Sequence, residues 1–239
     1  MFRKLLCLSL ACCCLAFAGC GGAPASSSGK DYERIVVVSD LHYPTKATAE
    51  DKRQAILDNK EKARQDINSW KDVDLTVFTG DMVAQYGSMD QMKEAKNFMD
   101  GFSGDKVYIA GNHELFYKEE LKNGKPVMAD PALRAAHEDN FQKVFGPLHS
   151  TKEMGKYFLI FLSPEDTKGK YPVEMSKEEL DWLTKTLKEN QSKPTIIFYH
   201  APLSDTLIPY NDKVGSPRNF AQPAGAIDLL LLTNPQVKL

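Results

Sequence analysis

The amino-acid sequence predicts a layered α/β fold, because short apolar runs alternate with helical stretches along most of the chain. The runs are rich in β-branched and aromatic residues and are bounded by polar or turn residues, which is typical of buried strands. The predicted strands lie within Arg34–Asp40, Val73–Asp81, Lys106–Asn112, Lys156–Ser163 and Thr195–Ala201. Helices between consecutive strands imply mostly parallel crossover connections.

Helical patterns fill the gaps between these strands. The predicted helices lie within Ala49–Trp70, Ser88–Phe102, Pro131–Phe145 and Ser176–Asn190. The last of them opens with the Ser176 to Glu179 spacing of a capping box. The second carries an apolar stripe at helical spacing, which we interpret as core packing rather than a ligand set: Met89, Met92, Ala95, Phe98 and Met99.

Residues 1–19 are predicted to be a lipoprotein signal peptide. Arg3 and Lys4 precede an apolar run, Leu5–Gly19, in the order typical of a secretory signal. The run is shorter than the ~20 residues that a transmembrane helix needs. The segment "LAFAGC" resembles the lipobox of bacterial lipoproteins, with Cys20 as the lipidated residue, although Phe17 replaces the usual aliphatic residue. The alternative is a plain secretory signal with an incidental cysteine.

The composition limits what the rest of the chain can do. All five cysteines lie in the first twenty residues, which excludes a disulfide framework, a thiolate metal site and a cysteine nucleophile from the folded part. Residues 20–30 predict a flexible tether, and residues 31–239 predict one domain with a substantial core. With 30 basic and 32 acidic residues, the chain shows no charge bias towards nucleic acid. We therefore expect an exported, lipid-anchored protein of the bacterial cell envelope, in the periplasm or on the extracytoplasmic face, whose oligomeric state the sequence does not indicate.

Four of the five predicted strands end in side chains that can bind metal ions. These ends are Asp40-Leu41-His42, Gly80-Asp81, Gly111-Asn112-His113-Glu114, and His200. A single Asp-x-His is also typical of a turn aspartate beside a surface histidine. Because the carboxyl ends of parallel strands meet at one edge of a sheet, however, four such ends indicate one shared site.

In their order and strand context, these motifs resemble those of the calcineurin-like metallophosphoesterases. The similarity covers nearly the whole predicted mature chain, including the helix "EELDWLTKTL". It implies a four-layered α/β/β/α sandwich, incomplete at the C-terminus, that holds two divalent metal ions. It also implies in-line hydrolysis of phosphomono- or phosphodiesters by a metal-bridging hydroxide, with a phosphoester as substrate.

The resemblance assigns a role to each motif residue. Asp40 and His42 bind one ion, Asp81 bridges both, and Asn112 and His200 bind the second. A short carboxylate on a glycine turn suits the bridge, and we expect Asp40 and His42 to point the same way from alternate strand positions. Such a mixed oxygen and nitrogen set fits Mn, Fe, Zn, Ni or Co and does not choose among them.

The resemblance makes His113 the catalytic residue rather than a ligand. It protonates the leaving oxygen or stabilises its charge, and an ordinary histidine pKa near 6.5 suits that role. Glu114 is expected to orient His113; the alternative is a surface glutamate that begins a helix. Purple acid phosphatases, a related branch, carry Asp-x-Gly in the first motif and a tyrosine three residues after the bridging aspartate. His42 and Ala84 occupy those positions here, which argues against an iron-tyrosinate centre.

Other residues have simpler interpretations. His137, in a predicted helix, and His149, in a predicted loop, are expected to be surface or packing histidines. Arg218 is expected to be a solvated loop residue rather than a phosphate contact. The loops Phe116–Asp130 and Ser204–Ala224 are expected to select the substrate, whose identity the sequence does not give.

The last motif of the family, Gly-His-x-His, does not occur in this sequence. The final stretch "LLLLTNPQVKL" resembles the helix and strand start that precede it, with the strand over Gln236–Leu239. The sequence is expected to be a fragment of a longer protein or, alternatively, a shortened paralogue. Loss of two of about eight ligands predicts weak metal binding and poor activity. The alternative function is therefore a catalytically impaired metal-binding lipoprotein.

Overall fold

Two three-stranded sheets and a hairpin carry the fold in the computed structural model, which describes residues 30–204, 206 and 216–238. In the first sheet, β1 (Ile35–Val38), β2 (Leu75–Phe78) and β3 (Asp105–Tyr108) are parallel. The hairpin consists of β4 (Tyr117–Lys122) and β5 (Lys125–Met128). In the second sheet, β6 (His149–Met154) runs antiparallel and β8 (Thr195–Phe198) parallel to the central β7 (Tyr157–Leu162).

Six α-helices connect these strands within the described residues. They are α1 (Glu50–Ser69), α2 (Met89–Met99), α3 (Asn112–Leu115), α4 (Pro131–Phe145), α5 (Lys177–Glu189) and α6 (Ala224–Thr233). At the start of α5, the Ser176 side chain accepts a hydrogen bond from the Glu179 backbone N–H, as the capping spacing predicts. No helix of the described residues is long and apolar enough to span a bilayer. The predicted signal peptide, Cys20 and the tether up to residue 29 lie outside the described residues.

The two sheets pack face to face, with helices on both outer sides. A central cluster joins inward-facing residues of both sheets: Leu75, Val77, Ile109, Met154, Leu159 and Phe161. Successive strand residues point to opposite faces, so the alternate residues meet the helices. On one side Phe78 lies in a cluster with Met92 of α2 and Phe141 of α4, and on the other Ile160 lies with residues of α5 and α6. The predicted α/β/β/α order of layers is confirmed.

The methionine stripe is core, as predicted. Four of its five members, Met92, Ala95, Phe98 and Met99, are buried, and Met89 at the start of α2 is half-buried. The predicted strand start near the end of the sequence is represented by a single parallel bridge between Val237 and Thr195, while Leu239 lies outside the described residues.

Two segments differ from their sequence predictions. The expected loop Phe116–Asp130 contains the hairpin, whose strands were missed because they are mostly polar and exposed. Its turn residues, Asn123 and Gly124, have φ of 53° and 71°, and an Asn-Gly pair is a recognisable hairpin signal. His149, expected in a loop, begins β6, a polar strand that pairs antiparallel with β7.

Candidate metal centre

The first strand delivers Asp40 and His42 through a left-handed turn. β1 ends at Val38, and the two residues then have φ of 53° and 43°. The backbone N–H of Asp40 donates to the carbonyl of Gly80 (3.1 Å) and that of His42 to the carbonyl of Asp81 (2.8 Å). The expectation of alternate strand positions is therefore wrong: the turn, not the strand pleat, aims these side chains. Left-handed backbone at residues other than glycine is uncommon and concentrates at functional sites.

Asp81 lies at the middle of the cluster. It follows β2 through Gly80, whose φ is 104°, and is only 5% exposed. Its Oδ2 lies 3.7 Å from His42 Nε2, and its Oδ1 lies 3.5 Å from His200 Nε2. One buried carboxylate therefore faces an imidazole nitrogen on each side.

Two glycines leave room for this arrangement. A Cβ on Gly111 would lie 2.4 Å from the backbone nitrogen and from Oδ1 of Asp81. A Cβ on Gly80 would lie 2.6 Å from His200 Nδ1. Since real Cβ atoms do not approach so closely, any side chain at either position would displace a member of the cluster.

Three histidine rings are held in the same way. Each places Nδ1 against a backbone carbonyl: His42 on Val83 (3.2 Å), His113 on Gln85 (2.7 Å) and His200 on Thr79 (2.8 Å). When Nδ1–H donates to the carbonyl, the lone pair of Nε2 is left facing the cluster. This is the arrangement by which metal-binding histidines are usually oriented.

The structure brings all five predicted ligands together. Two groups of candidate ligand atoms, each within 4.8 Å, share Asp81: one with His42 and His113, the other with Asp40 and His200. Asn112 Oδ1 extends the second group, 3.2 Å from His200 Nε2. Asp40 Oδ1 also lies 3.8 Å from His42 Nε2, so this aspartate is close to both groups. Carboxylate, amide and imidazole donors at such spacing fit divalent transition-metal ions.

His113 lies closer to the candidate ligands than the sequence argument assumed. Its Nε2 is 3.9 Å from Asp81 Oδ2, so the geometry admits it beside an ion as well as beside a substrate. Burial lowers the pKa of His113 to about 4, against the opposing effect of Asp81. Burial also lowers the pKa of His42. Both shifts favour the neutral imidazole, the form that binds metal. The ordinary pKa near 6.5 that was expected for His113 is not found.

Glu114 supports the backbone of the cluster. It is fully buried, and its carboxylate accepts hydrogen bonds from the N–H groups of Asp81 (2.8 Å), Val83 (2.8 Å) and Gly111 (2.7 Å). Glu114 lies in the first turn of the short helix α3, as the second expectation had it, but it is buried, and its carboxylate binds backbone N–H groups rather than the His113 ring. Burial, reinforced by Asp81, raises the pKa of Glu114 to about 7.

Lys46 is the charged neighbour that the sequence argument missed. Its Nζ lies 3.1 Å from His113 Nε2 and 3.4 Å from His42 Nε2. Burial lowers the pKa of Lys46, while Asp81 and Asp40 oppose that change. The only feature of the sequence that could have indicated this contact is the position of Lys46, four residues after His42 in the turn that contains Pro44.

The remaining candidates lie outside the cluster. His137 is buried with Nδ1 against the Leu115 carbonyl, and His149 packs on Trp182 with ring centroids 4.3 Å apart. Both agree with the expectation of surface or packing histidines, and His149 Nδ1 also lies 3.1 Å from Glu165 Oε2. Arg218 is exposed and donates a hydrogen bond to the hydroxyl of Tyr117 (3.0 Å).

The layered fold and the acidic and imidazole donors at its strand ends define a metallophosphoesterase. The chain belongs to the calcineurin-like phosphoesterase family, whose profile matches residues 33–233. Members of this family are metal-dependent phosphoester hydrolases, and the donor groups around Asp81 agree with that chemistry.

Solved structures resemble the fold at low sequence identity. Purple acid phosphatase PPD1 from yellow lupin (Lupinus luteus) is 18% identical with a TM-score of 0.54, over 83% of this chain and 35% of that one. Phosphopantetheinyl hydrolase PptH from Mycobacterium tuberculosis is 14% identical with a TM-score of 0.49, over 80% and 76% of the two chains. The protein TT1561 of Thermus thermophilus is 12% identical with a TM-score of 0.45, over 84% and 77%. The chain thus spans about a third of the lupin protein, and that likeness shows the fold alone. No curated protein sequence gives a significant match.

Proposed function

We propose that this protein hydrolyses phosphomono- or phosphodiesters with two divalent ions, held by Asp40, His42, Asp81, Asn112 and His200. The observation that carries the proposal is the position of Asp81, whose two carboxylate oxygens face imidazoles on opposite sides at 3.7 and 3.5 Å. A carboxylate between two donor groups is what a pair of ions ~3.5–4 Å apart requires.

The donor set supports ions among Mn, Fe, Zn, Ni and Co. When bound, such ions supply Lewis-acid stabilisation of phosphoryl oxygens and lower the pKa of water. The protein's own contribution is to fix the donors. The carbonyls of Val83 and Thr79 orient the two ligand imidazoles, and Glu114 anchors the backbone on both sides of Asp81.

We assign His113 to the leaving oxygen of the ester. The Gln85 carbonyl binds Nδ1, so Nε2 is the ring atom that would face that oxygen. Because burial lowers the pKa of His113 to about 4, Nε2 would have to take up a proton before it could donate one to the leaving oxygen. The Lys46 ammonium lies within hydrogen-bond distance of the same Nε2 and adds positive charge where negative charge develops in the reaction.

The test compares Mn-loaded wild-type protein with Asp81→Asn on a chromogenic phosphodiester and a phosphomonoester. We expect the substitution to lower the rate at least about a hundredfold, because the amide removes the shared charge. Asp90→Asn, an exposed position on α2, is the matched control. Metal analysis at saturating Mn should give two ions per wild-type chain. Equal, metal-dependent hydrolysis by wild type and Asp81→Asn would exclude this mechanism, whereas metal binding without hydrolysis would support the impaired metal-binding alternative.

We also propose that the protein is exported to the bacterial cell envelope and anchored through a lipid on Cys20. Support comes from the charged start, the apolar run Leu5–Gly19 and the lipobox-like "LAFAGC". Expression of the full sequence in a bacterial host should place the protein in the detergent phase of a membrane extract. Cys20→Ser should move it to the aqueous phase, and an unchanged distribution would contradict the anchor.

A further inference from the structure

A cavity of about 310 Å³ opens beside the candidate metal centre. Its wall is formed by the hairpin β4–β5, by the segment before α5 and by the short 3₁₀ turn Pro217–Asn219. Tyr117 is part of this wall, and its ring centroid lies 5.1 Å from that of His113. The cavity therefore begins one aromatic ring away from the residue that we assign to the leaving oxygen.

The wall of the cavity is cationic and aromatic. Lys170 and Arg218 contribute two positive charges, while Phe116, Tyr117 and Tyr171 contribute aromatic rings. No carboxylate lines it among the residues that the structure describes. Acidic residues nearby, including Asp166 and Glu174, line a separate small cavity together with Arg134. The cavity thus suits an anion attached to a flat apolar group.

Arg134 holds the two sides of the cavity together. It is buried, and its Nε donates to the Ala129 carbonyl at the end of the hairpin (3.0 Å). Its Nη1 donates to the carbonyl of Gly169, next to Lys170 (2.8 Å). Its guanidinium also lies 4.1 Å from the ring centroid of Phe116. These contacts fix the hairpin against the segment that carries Lys170, as expected for a binding cavity that is formed before its ligand arrives.

We propose that this cavity binds the leaving group of the ester and selects leaving groups that combine an aromatic ring with a negative charge. This inference rests on the proposed function. With the phosphoryl group at the metal centre and the leaving oxygen at His113, the rest of the leaving group extends past Tyr117. Its ring packs between Tyr117 and Tyr171, and its anionic group pairs with Arg218 and Lys170.

Two aryl phosphates that differ only in the charge of the leaving group provide the test. Hydroxyphenylpropanoate phosphate carries a carboxylate on a two-carbon arm, and tyramine phosphate carries an ammonium on the same arm. We expect wild-type kcat/KM to be at least about tenfold higher for the carboxylate ester. Arg218→Ala and Lys170→Ala should each lower that ratio about threefold or more.

Lys168→Ala is the matched control, because Lys168 is exposed on the same turn as Lys170 but does not line the cavity. The ratio of the two substrates in this variant should equal that of wild type. Wild-type protein that hydrolyses both esters equally well would overturn the leaving-group site while leaving the proposed hydrolase intact. A ratio unchanged in both Arg218→Ala and Lys170→Ala would overturn it as well.

A binding measurement separates the cavity from the metal chemistry. Hydroxyphenylpropanoate itself is titrated by NMR into metal-free wild type, into Asp81→Asn and into the Lys170→Ala, Arg218→Ala double variant. We expect binding to the first two and at least about tenfold weaker binding to the third. Binding in this pattern without hydrolysis of any ester would contradict the proposed hydrolase function and still support the assignment of the cavity as a binding site. Absence of binding to wild type would contradict the assignment of the cavity as a binding site.

Discussion

Glu114 Oε2 lies 2.8 Å from the backbone nitrogen of Asp81 and accepts its hydrogen bond inside a fully buried site. The same oxygen accepts from Gly111, and Oε1 accepts from Val83. Because water does not reach these N–H groups, their geometry depends on one side chain. Glu114 thus links the segments that follow β2 and β3.

The first prediction concerns this carboxylate. Glu114→Gln replaces one acceptor oxygen by an NH₂ group that faces a backbone N–H, leaving a buried donor unsatisfied. We expect a loss of about 2–3 kcal/mol in the free energy of unfolding, measured by urea titration, together with weaker metal binding. Glu94→Gln, on the exposed side of α2, should change neither. Unaltered stability in Glu114→Gln would show that the three hydrogen bonds contribute little.

The second prediction concerns the space beside Asp81. Gly111→Ala would place a Cβ 2.4 Å from the Asp81 carboxylate and should displace it. We expect at least about tenfold weaker metal binding by calorimetry and a destabilisation of about 1–3 kcal/mol. Gly225→Ala is the control, since nothing lies within 4 Å of a Cβ there. Full metal affinity in Gly111→Ala would argue against Asp81 as a ligand.

The third prediction concerns Lys46, whose ammonium lies 3.1 and 3.4 Å from two imidazole nitrogens of the candidate centre. A positive charge there opposes the binding of a divalent ion, even if the lysine side chain moves its ammonium group away from the ion. Lys46→Met should therefore tighten metal binding about tenfold, or ~1.4 kcal/mol. The comparison is Lys52→Met, an exposed lysine on α1. Weaker metal binding in Lys46→Met would contradict this electrostatic account.

The sequence predicted the parts of the fold that depend on burial. β2 is buried on both faces, and its sequence Leu-Thr-Val-Phe (Leu75–Phe78) consists of apolar and β-branched residues that are recognisable as a strand without its partners. The resemblance to the family came from where Asp, Asn and His residues fall relative to such runs, and the order of the layers was implied by that resemblance. The hairpin β4–β5 was missed because its polar, exposed strands lack that signal.

The fine geometry of the site was beyond the sequence pattern. Asp40, His42 and Asp81 all have positive φ, a conformation imposed by tertiary contacts that hydrophobic periodicity does not encode. The contacts of Glu114 and Lys46 depend on how those turns close against segments distant in sequence. The sequence motifs therefore identified which side chains lie together, but not the backbone turns and hydrogen bonds that position them.

The last prediction concerns the pH dependence of stability. Glu179 is fully buried near the start of α5, and burial, reinforced by Glu165, raises its pKa well above the ordinary value. Burial also raises the pKa of Glu138 to about 8, with Glu165 again adding to the shift. An acid whose pKa is raised by folding loses its proton more readily in the unfolded chain, so stability falls as pH rises above about 4.5. We expect these two carboxyl groups to lower the free energy of unfolding between pH 5 and pH 8, whereas the lowered pKa values of His42 and His113 act in the opposite direction below about pH 6.5.

Glu179→Gln tests this source of pH dependence, because glutamine keeps the shape of the side chain and cannot ionise. Urea titrations should show the variant to be roughly 1–3 kcal/mol more stable than wild type at pH 8, with a smaller difference at pH 5. Glu178→Gln alters the adjacent, exposed residue and should follow the wild-type curve at both pH values. If Glu179→Gln lost stability with pH as steeply as wild type, the pH dependence would have to come from other groups, with Glu138 the first to substitute.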